Sequence, residues 1–182
     1  MLLCQKKVDC MMFGYNPSER KCRIYSSGFY TIRQGTVDDG WENYVYVDPK
    51  CTLNGDFVHV RTSNLCIHLS PATAAFTEAR EYCSDRHSKL ISLPTTAKAN
   101  SFDDVLQTTL KIESLYIGLS KVTGQWTWED GSLLGSEAQW IEGQPLCPTV
   151  NCDCVIKFKS GNYKWGDAYC DIVIEFVCEK EL

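Results

Sequence analysis

Between Gly143 and Cys154 the chain reads GQPLCPTVNCDC, so three cysteines and one carboxylate, Asp153, share a short loop that begins at a proline. Residue types in this pattern point to three chemistries. A hard cation such as calcium would need about six to eight oxygen ligands, several of them carboxylates. Zinc would take thiolates at tetrahedral distances from Cys147, Cys152 and Cys154. Two oxidised cysteines would instead staple the loop and reduce its freedom. Spacing alone leaves all three open, although no histidine lies in the loop. His59, His68 and His87 fall in the early strands and just after the first helix, where strand or surface roles account for them.

Other reactive combinations do not assemble into a catalytic pattern. No Gly-x-Ser-x-Gly or comparable nucleophile context occurs, and an enzyme is not expected. Glu129 and Asp130 precede Gly131, but adjacent acids in a strand point to opposite faces and here mark a turn. Trp126, Trp128, Trp140 and Trp165 suggest sugar stacking, yet packing is the favoured role, with Trp126 and Tyr163 expected to be the exposed aromatics.

The 182 residues suffice for one sizeable domain plus a small extra piece. Five Trp, nine Tyr and seven Phe argue for a packed core and against disorder. A net charge of −5, with scattered basic residues, excludes a nucleic-acid partner, which needs a concentrated positive face. Eleven cysteines spread along the chain read as disulfides formed in an oxidising compartment. The number is odd, so one thiol is left over or its partner lies outside this sequence. MLLCQKK is too short and polar for a leader, and no apolar run is long enough to span a bilayer. The chain is therefore expected to be a fragment of a longer secreted or membrane-anchored protein.

The elements that must position the loop can be read from periodicity. Residues 1–47 form a small unit with a turn at Asn16-Pro17-Ser18 followed by the strand-like KCRIY, and Asp48-Pro49 marks a boundary before a second unit, 48–182. Ser70-Pro71 announces a helix with Ser as N-cap and Pro at its first position. Phe76, Ala79 and Cys83 share its buried face, and Glu78 and Glu81 face water. A second helix follows Pro94, with Ala99, Phe102, Leu106 and Leu110 as its stripe. After Leu115, YIGLS, QWTWEDGS, CVIKF, YKWGDAYC and DIVIEFVCE are short strands between Gly-containing turns. Helices early and strands late give an α+β class.

From about Cys51 to Glu179 the order FTEAREYC, KLISL, YIGL, WTWEDGS, QW, Gly143-Gln144-Pro145, CVIKF, WGDAYC and FVCE resembles the C-type lectin-like domain. The resemblance implies two helices, two small antiparallel sheets and a long loop region, in a disulfide-rich fold. It implies bridges Cys83–Cys178 and Cys154–Cys170, with Cys51–Cys66 as the extra hairpin bridge of the long form. With Cys154 so engaged, the remaining loop cysteines give a Cys147–Cys152 staple in preference to a zinc site. Residues 1–47 resemble the later part of a PAN/apple module, with a Cys4–Cys10 pair. The partner of Cys22 would then precede Met1.

Sugar-binding members of the lectin family hold one calcium on this loop and the strand containing WGD. The donors are a Glu or Gln before the proline, an Asn or Asp after it, a Glu two residues before the closing cysteine, and an Asn-Asp pair after Trp. This chain matches at Gln144 and Asp167 and departs at Leu146, Cys152 and Gly166. Glu142 and Asp153 are near in sequence, and SKVTGQ (120–125) has no acid for an auxiliary ion. The resemblance therefore implies an extracellular recognition module that uses residues about 135–167 and binds a protein or glycan on a cell surface or in the extracellular matrix. No cofactor is expected, and Gln144 and Asp167 are a remnant ligand-binding pair. The alternative is a calcium-dependent carbohydrate-binding lectin with a degenerate site. A third reading is a structural or adhesive part of a larger assembly.

Overall fold

The computed structural model describes residues 12–25, 42–45, 51, 57–60, 63–146 and 151–182. The chain divides into two units between Cys66 and Ile67, with Leu182 grouped with the first. In the first, Asn16 accepts from the amides of Ser18 and Glu19, both at 3.0 Å. This Asx-type turn joins β1 (Met12–Asn16) to β2 (Lys21–Tyr25). Strand β3 (Glu42–Val45) pairs with the other edge of β1, giving the antiparallel order β2–β1–β3. Strand β4 (Val58–Val60) follows. Cys51 and Cys66 are bridged with Cα atoms 5.4 Å apart. The boundary expected at residues 47/48 and the expected Cys4–Cys10 pair lie outside the described residues.

Strand β5 (Leu65–Leu69) leads into the second unit. Helix α1 spans Phe76–Ser84, and Phe76, Ala79 and Cys83 are its buried residues. The helix begins five residues later than the Ser70-Pro71 signal predicted. The Ser70 hydroxyl accepts from the Ala72 amide and donates to the Ala72 carbonyl, forming a local turn. The amides of Ser70, Ala74 and Phe76 donate to the carbonyls of Phe176, Ile174 and Cys170. Tertiary pairing keeps this segment extended until Ala75, whose amide donates to Glu78 Oε2 at 3.2 Å.

Strand β6 (Lys89–Leu90) precedes α2 (Thr96–Val105), capped by the Thr95 hydroxyl, which accepts from the Lys98 amide. Ala99, Phe102, Val105 and Leu106 are buried. Leu106–Leu110 widens into a π turn, so Leu110 is only half-buried instead of completing the stripe. Strands β7 (Ser114–Val122), β8 (Gln125–Trp128), β9 (Cys154–Phe158), β10 (Trp165–Ala168) and β11 (Glu175–Lys180) follow.

The two separate antiparallel sheets that the resemblance implied are joined among the described residues. The order is β10–β9–β7–β11–β5, with β8 on β7 and β6 on β11. The cause is the length of β7. Its first half runs parallel to β11, pairing Leu115 with Glu175 and Tyr116 with Phe176. Its second half pairs with β8, and a register shift between Ile117 and Ser120 marks the change along β9. Gly118 sits at that shift, where a Cβ would come 2.6 Å from the Leu90 carbonyl oxygen and 2.8 Å from Glu129 Cγ. Only glycine allows β7 to lie so close to both.

The core lies between α1, α2 and this sheet. Phe76 meets the Tyr116 ring edge-on at 5.3 Å, and Tyr82 meets Phe176 at 5.2 Å. The Cys83–Cys178 bridge, with a sequence separation of 95, ties α1 to β11. Closing so long a loop stabilises the fold by about 4–5 kcal/mol in the chain-entropy model.

Two buried polar groups interrupt this apolar packing. Lys157 on β9 is fully buried and pairs with Asp103 on α2 at 2.7 Å. Burial pulls the lysine down and pushes the carboxyl up, and each partner opposes the shift of the other. The Tyr116 hydroxyl donates to the Tyr169 and Ile172 carbonyls at 2.8 and 2.9 Å. Burial, with Asp171 nearby, pushes its pKa up to about 12.

Lys157→Met should lower stability by about 3–5 kcal/mol, because Asp103 is left charged without its partner. Adding Asp103→Leu should recover most of that loss, as denaturant unfolding with disulfides intact would report. Tyr116 adds stability below about pH 10 that is lost as pH rises through about 12, since the unfolded chain ionises first. Phenolate absorbance should show one tyrosine titrating near 12 in the native protein and absent in Tyr116→Phe; a titration unchanged by the substitution would refute the assignment.

Candidate functional site

The segment before the proline is laid against β10 by its backbone. The Trp165 amide donates to the Gln139 carbonyl and the Ile141 amide to the Trp165 carbonyl, both at 2.9 Å. Behind this bridge Trp165 is buried, with its ring edge-on to Trp128 at 5.5 Å and to Trp140 at 5.9 Å. Further back, the Thr96 amide at the start of α2 donates to Glu137 at 2.6 Å, which holds that carboxyl below its usual range. Gln139 donates to Asn100 on the same helix at 3.1 Å. The loop is thus fixed at both α2 and β10.

From Ile141 the chain turns. The Gln144 amide donates to the Ile141 carbonyl at 3.0 Å, with Gly143 at φ +85°, a conformation that favours glycine. The Gln144–Pro145 bond is cis. Beyond it, the Leu146 amide donates to Gln144 Oε1 at 3.0 Å and to Asp167 Oδ1 at 3.1 Å. The two residues that the sequence singled out are therefore brought together, and one N–H lies between their oxygens. Both are half-buried, whereas Pro145 is exposed and the Leu146 side chain is 70% exposed.

Two of the other positions, Cys152 and Gly166, bring no side-chain oxygen. Cys152 is buried and disulfide-bonded, and its partner lies outside the described residues, as does Cys147. At Gly166 a Cβ would come 2.9 Å from the Phe158 ring, so a side chain there requires the ring to shift. Asp153 is turned away from the proline. Its carbonyl accepts from the Lys121 amide at 2.7 Å, and its carboxylate lies 3.8 Å from Lys121 Nζ. The same Nζ stands 4.9 Å from the centre of the Trp126 ring. Glu142 is exposed one turn before the proline.

Among the described residues one amide oxygen and one carboxylate meet at this turn, against the roughly six to eight oxygens that a calcium ion takes. A thiolate zinc site is not available either, because Cys154 is bridged to Cys170 with Cα atoms 5.2 Å apart. Among the described residues no group of three His, Cys, Asp or Glu side chains could hold a metal ion. His68 is packed, with Nε2 3.0 Å from the Tyr82 hydroxyl.

The aromatic expectations need one correction. Trp128 and Trp165 are buried and Trp126 is half-buried, but Tyr163 is 2% exposed. Its hydroxyl donates to the Ile112 carbonyl at 2.9 Å, and this tertiary partner draws a loop-end side chain inward. Sequence reasoning also missed Lys157, which lies 5.9 Å from the Trp165 ring and pairs with Asp103 beneath the site. The only signal was a lysine at a core-facing position of CVIKF.

Residues 72–180 match the family model of the lectin C-type domain. The chain is 32% identical over 120 residues to the hepatic lectin of Gallus gallus, which covers 64% of this chain and 55% of that protein. It is 26% identical over 118 residues to a chain of the snaclec coagulation factor IX/factor X-binding protein of Echis carinatus, covering 63% of this chain and 87% of that one. Among solved structures, the carbohydrate-recognition domain of the mouse scavenger receptor C-type lectin superposes with a TM-score of 0.57 at 26% identity, over 70% of this chain and 95% of that one. The chain thus spans about half the length of the hepatic lectin. By the match over residues 72–180 and the fold that carries it, the chain belongs to the C-type lectin domain family, whose members are binding proteins and not enzymes.

Proposed function

We propose that this domain is an extracellular recognition module that engages a protein or glycan through the surface around residues 135–167 without calcium. The observation that carries the reading is the Leu146 amide, which donates to both Gln144 and Asp167 and so ties the turn to β10. A hydrogen bond thereby orders the loop where a cation would otherwise gather oxygens. Three disulfides among the described residues support an oxidising, extracellular setting. The similarity to the snaclec named for binding coagulation factors supports a protein ligand, and that to the mouse carbohydrate-recognition domain supports a glycan.

Two finer readings accompany this one. A Cys147–Cys152 bridge staples the loop after Pro145, which the buried, disulfide-bonded state of Cys152 supports. The first unit is a partial PAN/apple-like module, a reading that rests on the spacing of Cys4, Cys10 and Cys22 in the sequence.

Calorimetric titration of the oxidised domain with calcium should give no binding heat at micromolar ion, and a glycan array should read the same with and without chelator. Array signals that vanish with chelator would establish the calcium-dependent alternative. Non-reducing peptide mapping should recover one peptide pair joined through Cys147 and Cys152; finding either residue as a free thiol removes the staple.

A further inference from the structure

A second polar site lies away from the loop, in an open groove of about 330 Å³ between α1, β6 and the turn after β8. Thr77, Arg80, Glu81 and Ser84 line one wall, at the i, i+3, i+4, i+7 spacing that puts them on one helix face. Ser88, Lys89 and Glu129 complete it.

The groove has a fixed floor. Glu129 Cγ packs against Gly118, and the Glu129 amide donates to the Gly118 carbonyl at 2.9 Å. The Glu129 carboxylate takes the Arg80 Nε–H at about 3 Å, with its side chain 11% exposed. This pair uses one of the five N–H groups of Arg80, so the terminal guanidinium nitrogens keep their donors. Among the described residues Glu81 has no side-chain partner, and neither do the Thr77 and Ser84 hydroxyls. Lys89 reaches out to Glu181 at 2.5 Å.

The spare groups are therefore a planar acceptor, Glu81, a planar donor, Arg80, and hydroxyls that can do either. The lining charges, Arg80 and Lys89 against Glu81 and Glu129, cancel, which gives no preference for a charged ligand. The lining is about equally polar and apolar, so the groove suits a small molecule that donates and accepts through adjacent groups and also carries an apolar face. Vicinal hydroxyls on a neutral sugar ring have that chemistry: a carboxylate accepts from two of them and a guanidinium donates to two. We infer that the Arg80–Glu81 groove is a metal-free subsite for a neutral saccharide, separate from the surface around Pro145.

The test is a chemical-shift titration of the ¹⁵N-labelled oxidised domain with methyl glucoside, methyl galactoside and methyl mannoside, in chelator. At least one glycoside should shift the amides of residues 77–89 and 129 while leaving 142–146 in place. Glucuronate should bind no more tightly than the matching neutral glycoside. Glu81 is exposed and makes no side-chain hydrogen bond or ion pair among the described residues, so Glu81→Gln should keep the fold and weaken binding roughly ten-fold, the loss of a charged hydrogen bond. Arg80→Lys should weaken it comparably. Absence of shifts with all three glycosides, shifts confined to 142–167, or equal affinity in Glu81→Gln would overturn the inference. Because the readout is residue by residue and without divalent ions, the proposal for the Pro145 surface stands or falls separately.

Discussion

The two backbone hydrogen bonds of Trp165, one through its amide and one through its carbonyl, are the constraint on which the proposed surface depends. They join Gln139 and Ile141 to β10, and so set Gly143–Leu146 opposite Asp167. Nothing in the local sequence of GQPL would produce that arrangement by itself. Trp165 can serve as the anchor because its ring is buried against Trp128 and Trp140, which leaves the β10 backbone no freedom to move away. Glu137 and Gln139 extend the same hold to α2. The result is a loop whose base is part of the sheet, while Pro145 and Leu146 stand in solvent.

The chemistry of the surface follows from what lies at that base. An amide N–H shared between the side-chain oxygens of Gln144 and Asp167 ties the turn to β10. At Gly166 a Cβ would meet the edge of the Phe158 ring at 2.9 Å, so a longer side chain there requires that ring to shift. An exposed leucine above a hydrogen-bonded base is the kind of feature that a partner surface can bury.

Much of the fold could be read from the chain. The buried stripe Phe76, Ala79 and Cys83 and the exposed Glu78 and Glu81 follow from 3.6-residue periodicity, and the structure has each on the face expected. The strands from β7 onward were legible because their apolar alternation is short and bounded by glycine. The start of α1 was not, since Ser70-Pro71 is a good local signal that three long-range backbone bonds override. Tyr163 was misjudged, and Lys157 missed, for the same reason. A hydroxyl or an ammonium can be buried wherever a carbonyl or a carboxylate waits for it, and Ile112 and Asp103 are 51 and 54 positions away (163 − 112 and 157 − 103).

The sequence by itself determined the family, the class of fold, the candidate pair Gln144 and Asp167, and the shortage of oxygen donors around them. Each of these is a matter of residue identity at set spacing, which does not depend on knowing where the chain goes. Only the tertiary structure brought that pair together, because Leu146, Gln144 and Asp167 meet through a turn and a sheet and not through neighbourhood in the chain. The groove beside Arg80 was likewise invisible in one dimension. Its floor is Glu129, brought to the helix by Gly118, and a helix face gains a ligand-sized recess only when another element closes the far side.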